Sequence, residues 1–327
     1  MSGEPKRGLL VTGATGCVGR AVVDRALADG WRVRGLARRA PSAALPAGVE
    51  LLLGAVEDRR AVARAIDGVE AVVHLAAYVH AVPHGAAAVS QLRRVIVEGT
   101  QVVAEAARNA RARLISASTV AVYGSRPPAP CDERSAVHPD TPYAQAKLEA
   151  ERLVSRLDPD ATILRIAVVY GPHDRGNLLT LVRGINRGLA VTVGRGDNRK
   201  SVIYVENLAA RISRALESAT VPGVWVAADA PAPTQRELIE RIAAALGRRV
   251  PPRVPQAPLA WVARGVDVAR AIARRPGPSW HARVVKLSSP TEFDGRGLDD
   301  RLGYSAQVPL EEGIRRTVSW YREHGRG

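Results

Sequence analysis

The stretch GLLVTGATGCVGRAVVDRALADGWRVRGLARR, residues 8–39, decides how this chain folds. An apolar run, GLLVT, stops at a turn carrying Gly13, Gly16 and Gly19; the helical pattern VGRAVVDRALADG follows, then a second apolar run, WRVRGLA. That is strand, glycine turn, helix, strand. A backbone that turns sharply and closely approaches a pyrophosphate has no room for side chains there, and a helix opening near Cys17 aims its free amides and positive end at the phosphates. At the first strand of a βαβ pattern the turn implies a bound dinucleotide, held by Gly13, Thr15, Gly16, Cys17, Val18 and Gly19. The second run ends where an acidic side chain would bind the adenosine ribose of NAD, about twenty residues past the turn. Ala37 stands there, followed by Arg38 and Arg39. The missing carboxylate, and a guanidinium able to pair with a 2′-phosphate, favour NADP over NAD, with Arg38 as the contact.

Outward from this unit the alternation continues. ELLLG, AVVHLAA, RLISAS and ATILRIAVV read as strands; DRRAVARAIDG, VVAEAARNA and a segment opening near Pro142 read as helices. The pattern predicts a Rossmann-type α/β fold, a doubly wound parallel sheet wrapped by helices. Beyond Gly171 the regularity weakens through NLLTLVRGINRG, SVIYV, LAARISRAL, GVWVAA and TQRELIERIAAALG to a proline-rich break, RRVPPRVPQAP. This divides the chain into a dinucleotide-binding domain, 1–172, carrying the catalytic residues, and a smaller α/β substrate lobe, 173–327, whose elements can cross back to the first. In PLAWVARGVDVARAIARR, residues Leu259, Val262, Val266, Ala269 and Ala273 share one helical face, expected to pack on its own domain; a lid over the substrate and association with a membrane surface are the alternatives.

The net charge of +15 on 327 residues comes almost wholly from dispersed arginines, and no basic stripe with interleaved aromatics speaks for a nucleic-acid partner. A cationic pocket for a phosphate-bearing ligand is consistent with it. Cys17 and Cys131 have neither metal-ligand nor disulfide spacing. The opening MSGEPKRG has no signal-peptide pattern, and no apolar run approaches a membrane span, so the expectation is a cytoplasmic protein. His80 and His84 have helical spacing, but Pro83 intervenes and no metal site is expected.

TPYAQAK, residues 141–147, pairs Tyr143 with one of only four lysines, Lys147. On a helix opening at Pro142 the two lie one turn apart on one face. Upstream, SASTVAVYG ends a strand with Ser116, Ser118 and Thr119, where a parallel sheet presents groups to a ligand. With TGATGCVG, VVHLAA, VEGT, STVAVYG, PYAQAK, LRIAVVYGP, GRGDNRKSVIYVENLA and LGYSAQVPLEEGIRRTVSWY in order, the chain resembles the extended short-chain dehydrogenase/reductase family, the NAD-dependent epimerase/dehydratase group.

The resemblance implies that Tyr143 exchanges a proton with a substrate oxygen, that Lys147 holds the nicotinamide ribose and lowers the tyrosine pKa, and that Thr119 hydrogen-bonds the same oxygen, with Ser118 as its substitute and a substrate contact. It lines the cofactor cleft with Leu75, Ala76, Ala77 and Ile166, leaves His74 a structural role, and points Lys200 and Asn177 at the substrate, Lys200 at a diphosphate. Three positions depart from the family pattern: Ile96 for an asparagine, Ala55 for an aspartate, and Ile166 for a proline. The implied activity is an NAD(P)-dependent epimerase or ketoreductase of a nucleotide sugar, acting as a homodimer. A 3β-hydroxysteroid-dehydrogenase-like ketoreductase and a non-catalytic dinucleotide sensor remain as alternatives.

Overall fold

Five-residue apolar runs bounded by glycine turns have nowhere to bury both faces except in a sheet covered on both sides. In the computed structural model, which describes residues 7–41, 43–77, 85–128, 130–218, 221–272 and 289–325, they do so. The strands β1 (Gly8–Thr12), β2 (Arg32–Ala37), β3 (Glu50–Leu53), β4 (Ala71–His74), β5 (Arg113–Thr119), β6 (Thr162–Ile166) and β10 (Gly223–Ala227) form one seven-stranded sheet in the order β10-β6-β5-β4-β1-β2-β3. Every pairing in it is parallel. Leu9, Val11, Val33 and Val73 bury into one face and Leu10, Val72, Leu114 and Ile163 into the other. Each such side chain contributes about 1.5–3 kcal/mol. This is a Rossmann-type doubly wound α/β fold, and the order reverses between β1 and β4, beside the glycine turn.

Helices α1 (Cys17–Ala28), α2 (Arg59–Ile66), α4 (Gly99–Asn109) and α5 (Pro142–Leu157) sit where the periodicity places them. Two features are not apparent from it. The VVAEAARNA helix is the end of a longer one: α3 (Ala86–Arg93) runs into a π-helical turn (Arg94–Glu98) and then into α4. ATILRIAVV is also not one strand. The Ala167 amide bonds to the Ala227 carbonyl (2.9 Å), and the chain then leaves the sheet, so that β7 (Val168–Tyr170) pairs instead with β9 (Val202–Tyr204).

Beyond Gly171 come α6 (Asn177–Asn186), β8 (Thr192–Val193), α7 (Val205–Glu217), α8 (Gln235–Leu246), β11 (Arg253–Val254), α9 (Gln256–Ile272), α10 (Arg296–Leu302) and α11 (Leu310–His324). α7 packs along α1, and Ser213 donates to Asp29 (2.5 Å). The fully buried Arg211 gathers Asp229 (2.8 Å) and Asp299 (2.7 Å), binding α7, the end of β10 and α10 together.

α9 corrects an expectation. It packs on Val193 through Leu259, Ala260 and Ala263, not through the Leu259–Val262–Val266 face; Val262 and Val266 point outward, 64 % and 41 % exposed. The small Ala260 and Ala263 allow close approach to the β8/β11 ladder, which sets the helix's rotation against its hydrophobic face. Ala273, His80, Pro83 and His84 lie outside the described residues.

Candidate active site

The glycine turn is built to exclude side chains. Gly13 has φ +70° and its amide bonds to the Leu36 carbonyl (3.0 Å); a Cβ on it would meet the Ala76 amide at 3.0 Å. A Cβ on Gly19 would lie 2.1 Å from the Gly13 carbonyl oxygen, so helix α1 can close on the turn only with glycine there. Gly16 is the N-cap of α1 and offers no capping side chain, which leaves the first-turn amides, those of Cys17, Val18 and Gly19, for an anion. These residues fit a dinucleotide pyrophosphate. The Cys17 thiol itself turns away, donating to the Pro172 carbonyl (3.3 Å), and burial pushes it up to about 12, so only the Cys17 backbone is available. Arg38 is exposed just past the end of β2.

β1 and β4 are clamped together beside this turn. Thr100 Oγ1 donates to the Ile96 carbonyl (2.5 Å) and so accepts from His74 Nε2 (3.1 Å). Thr12 Oγ1 accepts from the amides of Leu75 and Ala76 (both 3.2 Å), keeping its proton for His74 Nδ1 (2.8 Å). One neutral tautomer satisfies the whole chain. Burial, reinforced by the Lys147 charge, drives the His74 pKa down to about 3. His74 is thus a structural strut, and it fixes the backbone of Leu75 and Ala76, the residues expected to line the cleft.

Thr141 caps α5 by accepting from the Ala144 amide (3.2 Å), and Pro142 occupies the first helical turn. That start fixes the rotation of Tyr143 and Lys147. Thr119, at the C-terminal end of β5, lies by the Tyr143 phenol and favours its ionised form, and Ile166 is the register partner of Thr119 on β6. Lys147 is buried and its ammonium donates to the Ala117 carbonyl (2.8 Å). The structure therefore brings Thr119, Tyr143 and Lys147 together on the edge of the sheet that carries the glycine turn.

The electrostatics differ from the expectation. Burial raises the Tyr143 pKa to about 12, only partly opposed by Thr119, and Lys147 does not bring it down. The reason is packing. Tyr143 lies against a cluster of Leu92, Ile96, Val97, Ala146 and Ala150, and the ammonium is drawn to a carbonyl of β5. Ile96 is fully buried in that cluster and supplies only apolar contact. Burial also lowers Lys147 to about 8, against the opposing charge of Glu151.

Ser118 is a second correction. It is buried and donates to Glu151, which also receives a two-pronged contact from Arg165 (2.9 Å and 3.2 Å), so its hydroxyl is held by the protein rather than left for substrate. Arg165 in turn donates to the Tyr123 phenol (3.0 Å). This Ser118–Glu151–Arg165–Tyr123 network behind Lys147 escaped the sequence reading; a lone arginine inside the apolar run TILRI, and a glutamate one turn past Lys147, were its only signals. Lys200 donates to the Ser289 carbonyl (2.6 Å), tying the entry to β9 to the 289–293 segment, and Asn177 is exposed at the first position of α6.

A glycine cradle at a strand-order reversal, with Thr, Tyr and Lys on the same sheet edge, defines a nicotinamide-dinucleotide enzyme of the extended short-chain dehydrogenase/reductase type. The chain belongs to the NAD dependent epimerase/dehydratase family, whose model matches residues 9–228. It is 28 % identical, over 97 % of its length and 96 % of the relative's, to the N-acetyl-alpha-D-glucosaminyl-diphospho-ditrans,octacis-undecaprenol 4-epimerase of Escherichia coli O157:H7. It is 29 % identical to the dTDP-glucose 4,6-dehydratase of Streptomyces niveus, over 83 % of this chain and 75 % of that one. In fold it is similar to the Bordetella bronchiseptica enzyme WbmG solved with NAD, with a TM-score of 0.78 at 21 % identity, covering 99 % of this chain and 97 % of that one.

Proposed function

We propose that the protein is an NAD(P)-dependent epimerase or ketoreductase acting on a secondary alcohol or ketone of a nucleotide sugar. The observation that carries this is the juxtaposition of Thr119, at the end of β5, with the Tyr143 phenol and of Lys147 buried one turn on, along the edge that holds the glycine cradle. The bound dinucleotide supplies the hydride donor and acceptor. Tyr143 passes the proton to or from the substrate oxygen while Thr119 holds that oxygen in line, and Lys147 positions the nicotinamide ribose. Arg38, with no carboxylate at the end of β2, supports a preference for NADP. Lys200 and Asn177 are the proposed contacts to the diphosphate and sugar, which suits the diphosphate-bearing substrates named for the two relatives. The division at residue 172, with α7 and β10 crossing back, and a homodimer through α4 and α5, belong to the same reading.

Mass spectrometry of small molecules retained by the purified protein, followed by turnover of UDP- and dTDP-sugars, tests it. Retained dinucleotide with sugar interconversion and no added NADPH marks an epimerase; consumption of NADPH marks a reductase. Activity on an apolar ketone with none on any nucleotide sugar overturns the substrate class.

A further inference from the structure

α9 turns its apolar side to water. With the packed face at Leu259, Ala260 and Ala263, the residues Trp261, Val262, Gly265, Val266 and Val268 spread over an arc of about 160° on the outer side of the helix. Trp261 is 77 % and Val268 53 % exposed. The loops that lead into β8 and β11 add Leu189, 77 % exposed, and Val250, 53 % exposed, at the same end of that parallel ladder. Apart from Leu53 and Val168, every exposed large hydrophobic among the described residues lies between positions 189 and 268. Four of them, Trp261, Val262, Val266 and Val268, share the outer side of α9, which marks an interaction surface rather than scattered surface hydrophobics.

Charge identifies the partner. Segments 187–196 and 247–266 together hold six arginines, at 187, 195, 248, 249, 253 and 264, and no aspartate or glutamate; all six are exposed. Arg195 is paired to Asp197 (3.0 Å) just outside, and Asp267 falls on the packed side of α9. A two-fold contact with a second copy would set these arginines against one another with no carboxylate between them. A lid role would require α9 to present to the substrate cleft a face that now points away from its own ladder. An anionic lipid surface satisfies both halves of the patch, taking the tryptophan and valines at the headgroup boundary and the guanidiniums on its phosphates. No helix among the described residues is long and apolar enough to cross a membrane, so contact is in the plane.

We propose that α9 and the flanking 189 and 250 loops dock this protein on anionic bilayers. The inference is independent of the substrate assignment.

Flotation of the full chain with vesicles of phosphatidylcholine, alone or with about a quarter phosphatidylglycerol, tests it. Binding to the anionic vesicles should exceed that to the neutral ones by about tenfold and decline with salt. It should fall by about tenfold in a Trp261→Asp, Val262→Asp variant that keeps its circular dichroism and dinucleotide binding. An Arg248→Glu, Arg249→Glu variant, which leaves the apolar arc intact, should lose the preference for anionic lipid. Absence of binding to anionic vesicles, equal binding to both compositions, or binding indifferent to both variants overturns the proposal. So does a concentration-dependent dimer, seen by light scattering, that the aspartate variant abolishes, because the patch is then a contact between copies.

Discussion

Replacing Lys147 by Met should make the protein more stable and inactive, and both effects have one cause. The side chain is buried, and desolvation lowers its pKa from 10.5 to about 8 despite the nearby Glu151. In the unfolded chain the ammonium is solvated and titrates near 10.5. The unfolded state therefore binds the proton more tightly, and burial of the ammonium is destabilising at every pH below about 8. The penalty then fades as pH rises from about 8 to 10.5. The difference amounts to about 3 kcal/mol at neutral pH. Met keeps the length of the side chain and forfeits the hydrogen bond to the Ala117 carbonyl, about 1 kcal/mol. The variant should then gain about 2 kcal/mol at pH 7, while near pH 9.5, with the lysine penalty reduced to about 1 kcal/mol, the two proteins should be nearly equal. Urea denaturation followed by circular dichroism at both pH values measures this directly. A variant less stable at pH 7, or a gap of the same size at both pH values, would refute the reasoning.

Tyr143→Phe should lower kcat about 10²- to 10⁴-fold, the worth of a positioned proton donor, while a fluorescence titration finds dinucleotide affinity unchanged; full turnover would remove Tyr143 from the mechanism. Arg38→Ser should weaken NADP binding about ten- to a hundredfold and leave NAD binding alone, since one charge-assisted contact is worth about 1.5–3 kcal/mol. An unchanged ratio of the two affinities would show that Arg38 only faces solvent.

Local spacing made much of this legible. Gly13 and Gly19 are legible because the constraint on them is steric and lies within a few residues: a Cβ on Gly19 would sit 2.1 Å from the Gly13 carbonyl oxygen. Tyr143 and Lys147 could be paired because Thr141 and Pro142 fix where their helix begins. What escaped depends on distant partners. The Thr12–His74–Thr100 chain joins positions 62 and 26 residues apart, and Ser118 meets Glu151 across 33 residues, so no window of sequence displays either. The rotation of α9 is hidden from the sequence for a related reason. Periodicity identifies an apolar arc, but which side packs depends on the partner surface, and the narrow β8/β11 ladder accepts Ala260 and Ala263 where Val262 and Val266 would not approach as closely. The break between Ile166 and Val168 is likewise set by β10, a strand nearly sixty residues downstream that takes up the Ala167 amide.

The electrostatic state of the site sets the resting protonation of its candidate residues. Burial acts on Tyr143 and Lys147 alike by favouring the uncharged form: the phenol is held protonated up to about pH 12, while the ammonium survives at pH 7 only because its pKa stops at about 8. Glu151 opposes the loss of that charge, and Arg165 and Ser118 fix Glu151 in place, so the network behind the helix helps to keep Lys147 cationic. In the reading proposed above, a Tyr143 that is protonated at rest can serve a reduction as its proton donor. The apolar packing of α5 against the π-helical turn, through Ile96, Val97, Ala146 and Ala150, is part of the burial that keeps the Tyr143 phenol protonated.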